Sequence, residues 1–318
     1  MIRHVKLYRP GSRWMPAILL GVFSTSAVAQ DDSVRVAPIV VTPTRMEQSA
    51  FDLPVSIDAI GKDVIQTAQP QVNTSEVLVR APGVVANDRS NLASDLQISI
   101  RGFGARAPFG MRGIRIIADG IPLTMPDGQS QSGNIDLVTA KQIEVLRGPF
   151  SALYGNSSGG VINVLTEDGP ERHTVTGSAW LGSFDSSKIG LKAGGQQGRV
   201  NYVANVARYD TDGYRDHSAA TRDNFNSKLR LDISDDTSVT LVANALKQEA
   251  QNPGSLTRAQ FDADPTQSGT TPALNTRELL ENSQMGAVVS HKLNAADTIR
   301  FAGYAGTREV EAYLNFTF

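Results

Sequence analysis

From about residue 172 onward, polar and apolar residues alternate in segments of roughly ten, as the strands of a membrane barrel do. The clearest segment is 224–233. A strand sends successive side chains to opposite faces, so Asn224, Asn226, Lys228, Arg230 and Asp232 share one face. Phe225, Ser227, Leu229, Leu231 and Ile233 share the other. Weaker alternation covers 199–209, 238–247, 283–293 and 297–306. The connections alternate in length. Gln196 to Gly198, Ser234 to Thr237 and Asn294 to Asp297 are short, whereas Asp210 to Arg222 and Gln248 to Asn282 are long and polar. Short turns on one side and long loops on the other are the layout of an outer-membrane barrel. A soluble sandwich also alternates, so the ordered loop lengths and the export signal below carry the membrane reading.

Residues 1–29 read as an address. Arg3, Lys6, Arg9 and Arg13 precede an apolar run from Met15 to Phe23, and Ala27-Val28-Ala29 is a small-x-small cleavage pattern. Cleavage before Gln30 takes those four positive charges away and moves the formal net charge from −2 to −6. The apolar run is too short for a permanent helical span. An acidic exported chain lacks the basic footprint of a nucleic-acid binder. With no cysteine, disulfide, thiolate-metal and Cys-nucleophile chemistry are excluded, and the four scattered histidines argue against a metal site.

Residues 30–47 form a periplasmic segment. Ile39, Val40, Val41 and Thr42 make a β-prone run between Pro38 and Pro43. It suits strand addition to a partner, or equally the first strand of the next domain. Residues 48–165 read as a compact α+β domain. Val55 to Ile60 and Leu96 to Ile100 alternate as strands, and Asn73 with Glu76 has capping-box spacing ahead of a short helix stopped by Pro82-Gly83. Ile114 to Ala118, Asp119-Gly120 and Ile121 read as a tight hairpin. Ile143 to Leu146 and Val161 to Leu165 are further strands.

The barrel, 171–318, is expected to be incomplete. An eight-stranded barrel fills its own interior and has no room for such a domain, whereas plugged lumens belong to barrels of about 22 strands. The chain is therefore expected to be a fragment, a truncation, or a case where the domain does not plug. The ending Ala312 to Phe318 alternates and stops on an aromatic residue, as complete barrels do.

Several segments together resemble TonB-dependent outer-membrane receptors. Pro38-Ile39-Val40-Val41-Thr42 is similar to the TonB box, and Ile100-Arg101-Gly102-Phe103-Gly104 and Asp119-Gly120-Ile121-Pro122-Leu123 to plug motifs. The longest match runs from Ile143 through Arg147-Gly148-Pro149 and Tyr154-Gly155 to Gly159-Gly160-Val161-Ile162-Asn163. The resemblance implies a plug within a 22-stranded barrel in the cell outer membrane, surrounded by lipid. It implies a periplasmic TonB energising complex as partner, a scarce nutrient as cargo, no cofactor and no enzymatic activity. Met125-Pro126-Asp127-Gly128-Gln129 is similar to a segment of ferric dicitrate receptors, and the plug also resembles a subgroup associated with pyrroloquinoline quinone uptake. Only Gln30 to Pro38 precedes the box after cleavage, which leaves no room for a signalling domain.

Both comparisons imply a small anionic ligand, such as a ferric siderophore or ferric citrate, or else a non-iron polycarboxylate. No His lies in 48–165, which counts against haem. Two plug loops are the candidate ligand contacts: Arg106 and Arg112 in one, and Asp127, Gln129 and Gln131 in the other. Arginine forks onto carboxylates, and glutamine both donates and accepts. The same arginines would equally suit plug-to-barrel bridges, and Arg115 falls in a strand where alternation sets its direction. Arg101, Gly102, Asp119, Gly120, Arg147, Gly148, Tyr154, Gly155, Gly159 and Gly160 are read as structural, with Arg147 expected to fork onto Glu144 or an acid of the barrel wall. The glycines do not make a dinucleotide loop, since Ala107 stands where a third glycine is needed.

A passive porin or adhesin would need neither box nor plug. An exported α/β enzyme would need a Ser-His-Asp, metal or paired-carboxylate set, and none is identifiable. A truncated binding module that does not transport is the remaining alternative.

Overall fold

The computed structural model describes residues 40–41, 48–49, 55–67, 69–107, 110–155, 157–269 and 274–314. The chain divides into two units, Met1–Ala37 and Pro38–Phe318, and all described residues belong to the second. The signal segment, Ile39 and Thr42 therefore lie outside the described residues, as do 315–318 of the aromatic ending.

The chain begins with β1 (Val40–Val41) and β2 (Gln48–Ser49), which pair only with each other, antiparallel. It continues through β3 (Ser56–Gly61), α1 (Lys62–Gln66), α2 (Ser75–Leu78), β4 (Val84–Asn87) and β5 (Gln97–Ile100). Then come β6 (Met111–Arg112), β7 (Ile114–Ala118), β8 (Ile121–Pro122), β9 (Gln129–Ser130), β10 (Ala140–Arg147), α3 (Ser151–Tyr154) and β11 (Gly160–Thr166). β3, β10, β11, β7 and β8 form, in that order, a five-stranded sheet in which only β11 and β7 run parallel.

β10 and β11 read as near-continuous apolar runs because both of their faces are covered. Ile114, Ile116, Ile143, Val145 and Ile162 sit in one core with no exposure, while Leu146, Val161, Ile117 and Tyr154 pack on the opposite side. Each such isoleucine contributes ~1.5–3 kcal/mol by burial. The 114–121 hairpin forms as expected. Asp119 (φ 47°) and Gly120 (φ 88°) occupy the two positive-φ positions of a type I′ turn.

The expected capping box is only half made. The Glu76 carboxylate accepts from the backbone N–H groups of Gln71, Val72 and Asn73 at 2.7–2.8 Å, while the Asn73 side chain turns to Asp88. The helix then starts one residue later, with Thr74 as its N-cap.

Beyond residue 170 lie β12 (Thr174–Leu181), β13 (Ser187–Gln197), β14 (Val200–Thr211), β15 (Ala220–Asp232) and β16 (Thr237–Gln251). After α4 (Arg258–Ala263) come β17 (Arg277–Lys292) and β18 (Thr298–Tyr313). These seven strands form one antiparallel sheet, each paired with the next in sequence. The strands outrun the alternating segments read from sequence, so the long connections shrink to 212–219 and 252–276. Within β15 the faces divide as expected. Arg222, Asn224 and Lys228 reach plug backbone, whereas Phe225 is exposed on the far side.

That far side carries a ladder of opposed residues. Leu191, Val206, Phe225, Leu241, Met285, Val289 and Phe301 are exposed along it. One row above Phe225, Arg208 stands opposite Asp223, Asp223 opposite Lys247, Lys247 opposite Glu281 and Glu281 opposite Glu309. The apolar stretch below, from Phe225 to Ile233, spans about 27 Å along the strand at ~3.4 Å per residue. With the usual tilt of about 40° this rises about 21 Å, most of the ~25 Å apolar band of an outer-membrane barrel.

Candidate functional site

The wall holds the plug mainly by inward cations that cap plug carbonyls. Lys188 Nζ donates to the Pro70 and Gln71 carbonyls at 3.2 and 2.7 Å. Arg222 donates to Val72 O at 2.7 Å and twice to Gln248 Oε1, and Gln248 Nε2 in turn donates to Leu92 O. Lys192 reaches Val138 O and Glu167, and Lys62 of the plug pairs with that same Glu167. Lys228 donates to Thr166 O and pairs with Asp168 at 2.8 Å. Burial pushes the Asp168 carboxyl up, but the Lys228 hydrogen bond and charge, with Lys141 and Arg230 beyond, bring it below its ordinary value. Asp136 goes the other way. Burial raises its carboxyl despite hydrogen bonds from Thr139, the Val138 N–H and Asn205 and the nearby Lys188 charge.

At the end bearing the long connections, the two loops are laced together by Arg215. It donates to the carbonyls of Gly254, Pro253 and Gln267 at 2.6, 3.2 and 3.0 Å. α4 is fixed by a full capping box between Thr257 and Gln260. Between these loops and plug residues 89–94 opens a cavity of about 840 Å³. Arg89, Arg258, Tyr214 and Phe261 line it. Arg258 lies over the Phe261 ring, 5.7 Å from its centroid, and pairs with Asp262. Arg89 makes no hydrogen bond or ion pair among the described residues. Next to it, a cavity of about 480 Å³ shares Tyr214 and adds Trp180, Phe184 and Tyr209. Sequence reading missed this site. Its residues come from three separated segments, and only the length of the connection from Gln248 to Asn282 hinted at it.

Arg112, Asp127 and Gln129 do come together. β6 pairs with β9, setting Arg112 opposite Gln129, and Arg112 reaches Asp127 at 3.6 Å by charge and 3.2 Å to its carbonyl. Gln131 instead donates to Asp95 at 2.8 Å. Arg106 is exposed and makes no hydrogen bond or ion pair among the described residues.

Arg147 corrects an expectation. It pairs with Asp58 of the neighbouring strand at 2.8 Å and donates to Pro82 O, because β10 places Ser56 opposite it and leaves Asp58 within reach. Glu144 is buried with Gln142 and Asn163 instead. Arg101 follows β5 and reaches Ser56, with Gly102 next in the turn. Asp119 Oδ1 accepts from the Thr166 N–H at 2.9 Å and ties the hairpin to β11. Gly148 and Gly155 flank the segment holding α3, and Gly159 lies against Phe103. Gly160, at φ 147°, packs where a Cβ would collide with Leu146 O. Val40 and Val41 are paired with Ser49 and Gln48.

The family model for the TonB-dependent Receptor Plug Domain matches residues 49–161. A hemin receptor of Yersinia enterocolitica is 27% identical over 49% of this chain and 23% of its own length. A vitamin B12 transporter of Vibrio cholerae is 28% identical over 51% of this chain and 26% of its own. An iron-regulated outer membrane virulence protein of Vibrio cholerae is 26% identical over 74% and 38%. The chain thus spans about a quarter of the first two relatives. Among solved structures, the unliganded ferric citrate transporter FecA superposes with a TM-score of 0.70 at 23% identity, over 84% of this chain and 42% of that one. The ferric preacinetobactin receptor of Acinetobacter baumannii gives 0.67 at 15% identity, over 84% and 39%. At these identities the superpositions speak for the fold.

Proposed function

We propose that this chain, whose residues 49–161 match the plug domain of TonB-dependent receptors and whose later strands resemble the N-terminal part of their barrel, serves the uptake of a small anionic ligand, an iron chelate such as ferric citrate or a ferric siderophore. The observation that carries the reading is the outer cavity, where the unpartnered Arg89 and the stacked Arg258 stand among Tyr214 and Phe261. Guanidinium groups fork onto carboxylates and aromatic rings supply apolar area, a combination suited to an anionic chelate. The second cluster, Arg112 with Asp127, Gln129 and Gln131, together with the exposed Arg106, belongs to the same reading as the plug's own contribution. Arg112 is held there by an exposed ion pair and an exposed hydrogen bond to Asp127, contacts that are worth little and exchange readily.

Ligand binding then shifts the plug, and the box at 39–42 passes from β2 to a strand of a periplasmic TonB partner. The relatives carry different cargoes, hemin, vitamin B12 and ferric citrate, and it is the chemistry of the cavity that favours an anionic chelate here. The test is binding and uptake of iron-loaded citrate by the receptor in its native outer membrane. The Arg89→Ala, Arg258→Ala double variant is expected to lose at least tenfold in affinity while still inserting. Unchanged affinity would overturn the assignment of this cavity.

A further inference from the structure

On the other side of the plug, toward the short turns, lies a second cavity of about 270 Å³. Its wall side is made by β15, β16 and β18 near their short-turn ends, through Lys228, Arg230, Thr240 and Arg300. Its plug side is made by Arg115 and Lys141, with Asn163 and Tyr154 between them. The lining holds five cations and only two carboxylates, Asp119 and Asp168. Those carboxylates are already engaged: Asp168 is paired with Lys228, and Asp119 caps the Thr166 N–H. Arg230 is neutralised by Asp232, outside the lining, and Arg300 donates to the Asp119 carbonyl. Arg115 and Lys141 make no hydrogen bond or ion pair among the described residues. Two half-buried cations facing a partly open cavity, with Asp168 shared between Lys228 and the more distant Lys141, create a field that an anion relieves.

We propose that this chamber is a second anion site, which takes a small carboxylate- or phosphate-bearing ligand between Arg115, Lys141 and the wall cations. Its size is just below that of ordinary small-molecule pockets, which restricts it to a compact anion. The inference rests on the proposed import of an anionic ligand, for which it supplies a holding point beyond the outer cavity. From Gln251, at the outer end of β16, to Thr240, at the chamber, is roughly 37 Å of strand at ~3.4 Å per residue, so the two sites are separate. Gly120 is part of the construction, because a Cβ there would run into the Arg300 guanidinium that lines the chamber.

The experiment is calorimetric titration of the full-length receptor, extracted from its native membrane, with citrate as the tricarboxylate probe and inorganic phosphate as the smaller one. Wild type is expected to show two classes of site for citrate. In the Arg115→Gln, Lys141→Gln double variant the inner class should weaken at least tenfold for both anions, and the Arg115→Lys variant should keep it. A double variant in which no class of anion site is weaker than in wild type would overturn the proposal. So would a double variant that only melts lower with unchanged anion stoichiometry, since Arg115 and Lys141 would then be pairing with wall carboxylates. The Arg89→Ala, Arg258→Ala variant separates the two readings. If it leaves both classes intact, the outer cavity is misassigned while the chamber stands.

Discussion

At the scale of single residues, two positions tie backbone and burial to measurable consequences. Gly160 opens β11 at φ 147°, hard against the Leu146 carbonyl on the paired strand. Gly160→Ala adds both a disfavoured backbone angle and a collision with main chain that cannot rotate away, and costs about 2–4 kcal/mol. A thermal melt of the variant should fall by several degrees; an unchanged melt would mean that the Leu146–Gly160 junction relaxes freely. Asp136 is a test by pH. Its folded pKa lies above the unfolded value, because burial disfavours the charged form. The cost of ionising it is full above the folded pKa and disappears as pH falls toward the unfolded one. Docking of the plug should therefore tighten on mild acidification, and Asp136→Asn should flatten that part of the stability–pH curve. Asp168, with a lowered pKa, opposes this only at lower pH, where its own contribution is lost as it protonates. Melts of the wild type and Asp136→Asn at pH 5 and pH 8 measure the difference, and an equal slope in both removes Asp136 as its source.

At the scale of elements, Val40 and Val41 of the proposed box are held in an antiparallel pair, with Val41 opposite Gln48. Strand transfer to a periplasmic partner has to open that pair and then use the same backbone groups. Val41→Pro removes a backbone donor, so uptake should be lost while ligand binding to whole cells persists. Retained uptake would argue that 40–41 is merely the first strand of the plug region. The elements also show what was legible beforehand. The β15 faces, the hairpin at 119–120 and the buried runs of β10 and β11 follow from period and turn chemistry, which are local. The partners of Arg147 and the outer cavity are not local. Asp58 meets Arg147 only because β3 pairs with β10, 89 residues along the chain, and Arg89 and Arg258 come to line one cavity from the plug and from a long connection. The same holds for the capping box: the Asn73 N–H to Glu76 half follows from the spacing, but the further Gln71 and Val72 N–H groups on that carboxylate do not.

At the scale of the whole molecule, two surfaces of one sheet do opposite work. The inward face is polar and grips the plug by cations on carbonyls, bonds that break singly and reform, which suits the plug shift proposed above. The outward face is apolar up to a row in which Arg208, Asp223, Lys247, Glu281 and Glu309 stand side by side. That row sets the upper limit of the lipid-facing band, and the depth of a substitution below it should decide its effect. Leu241 lies on the outward face six residues from Lys247 along β16, near the middle of the band. Leu241→Arg should cost about 2–4 kcal/mol there, enough to lower the yield of inserted receptor several-fold. Glu249→Arg, two residues above the row on the same face, should cost no more than ~1 kcal/mol. The comparison is made by quantifying heat-resistant, membrane-inserted receptor for each variant. Equal yields would place Leu241 outside the lipid band, and the row of paired charges would then have to be read as an interface with other protein and not as the edge of the membrane.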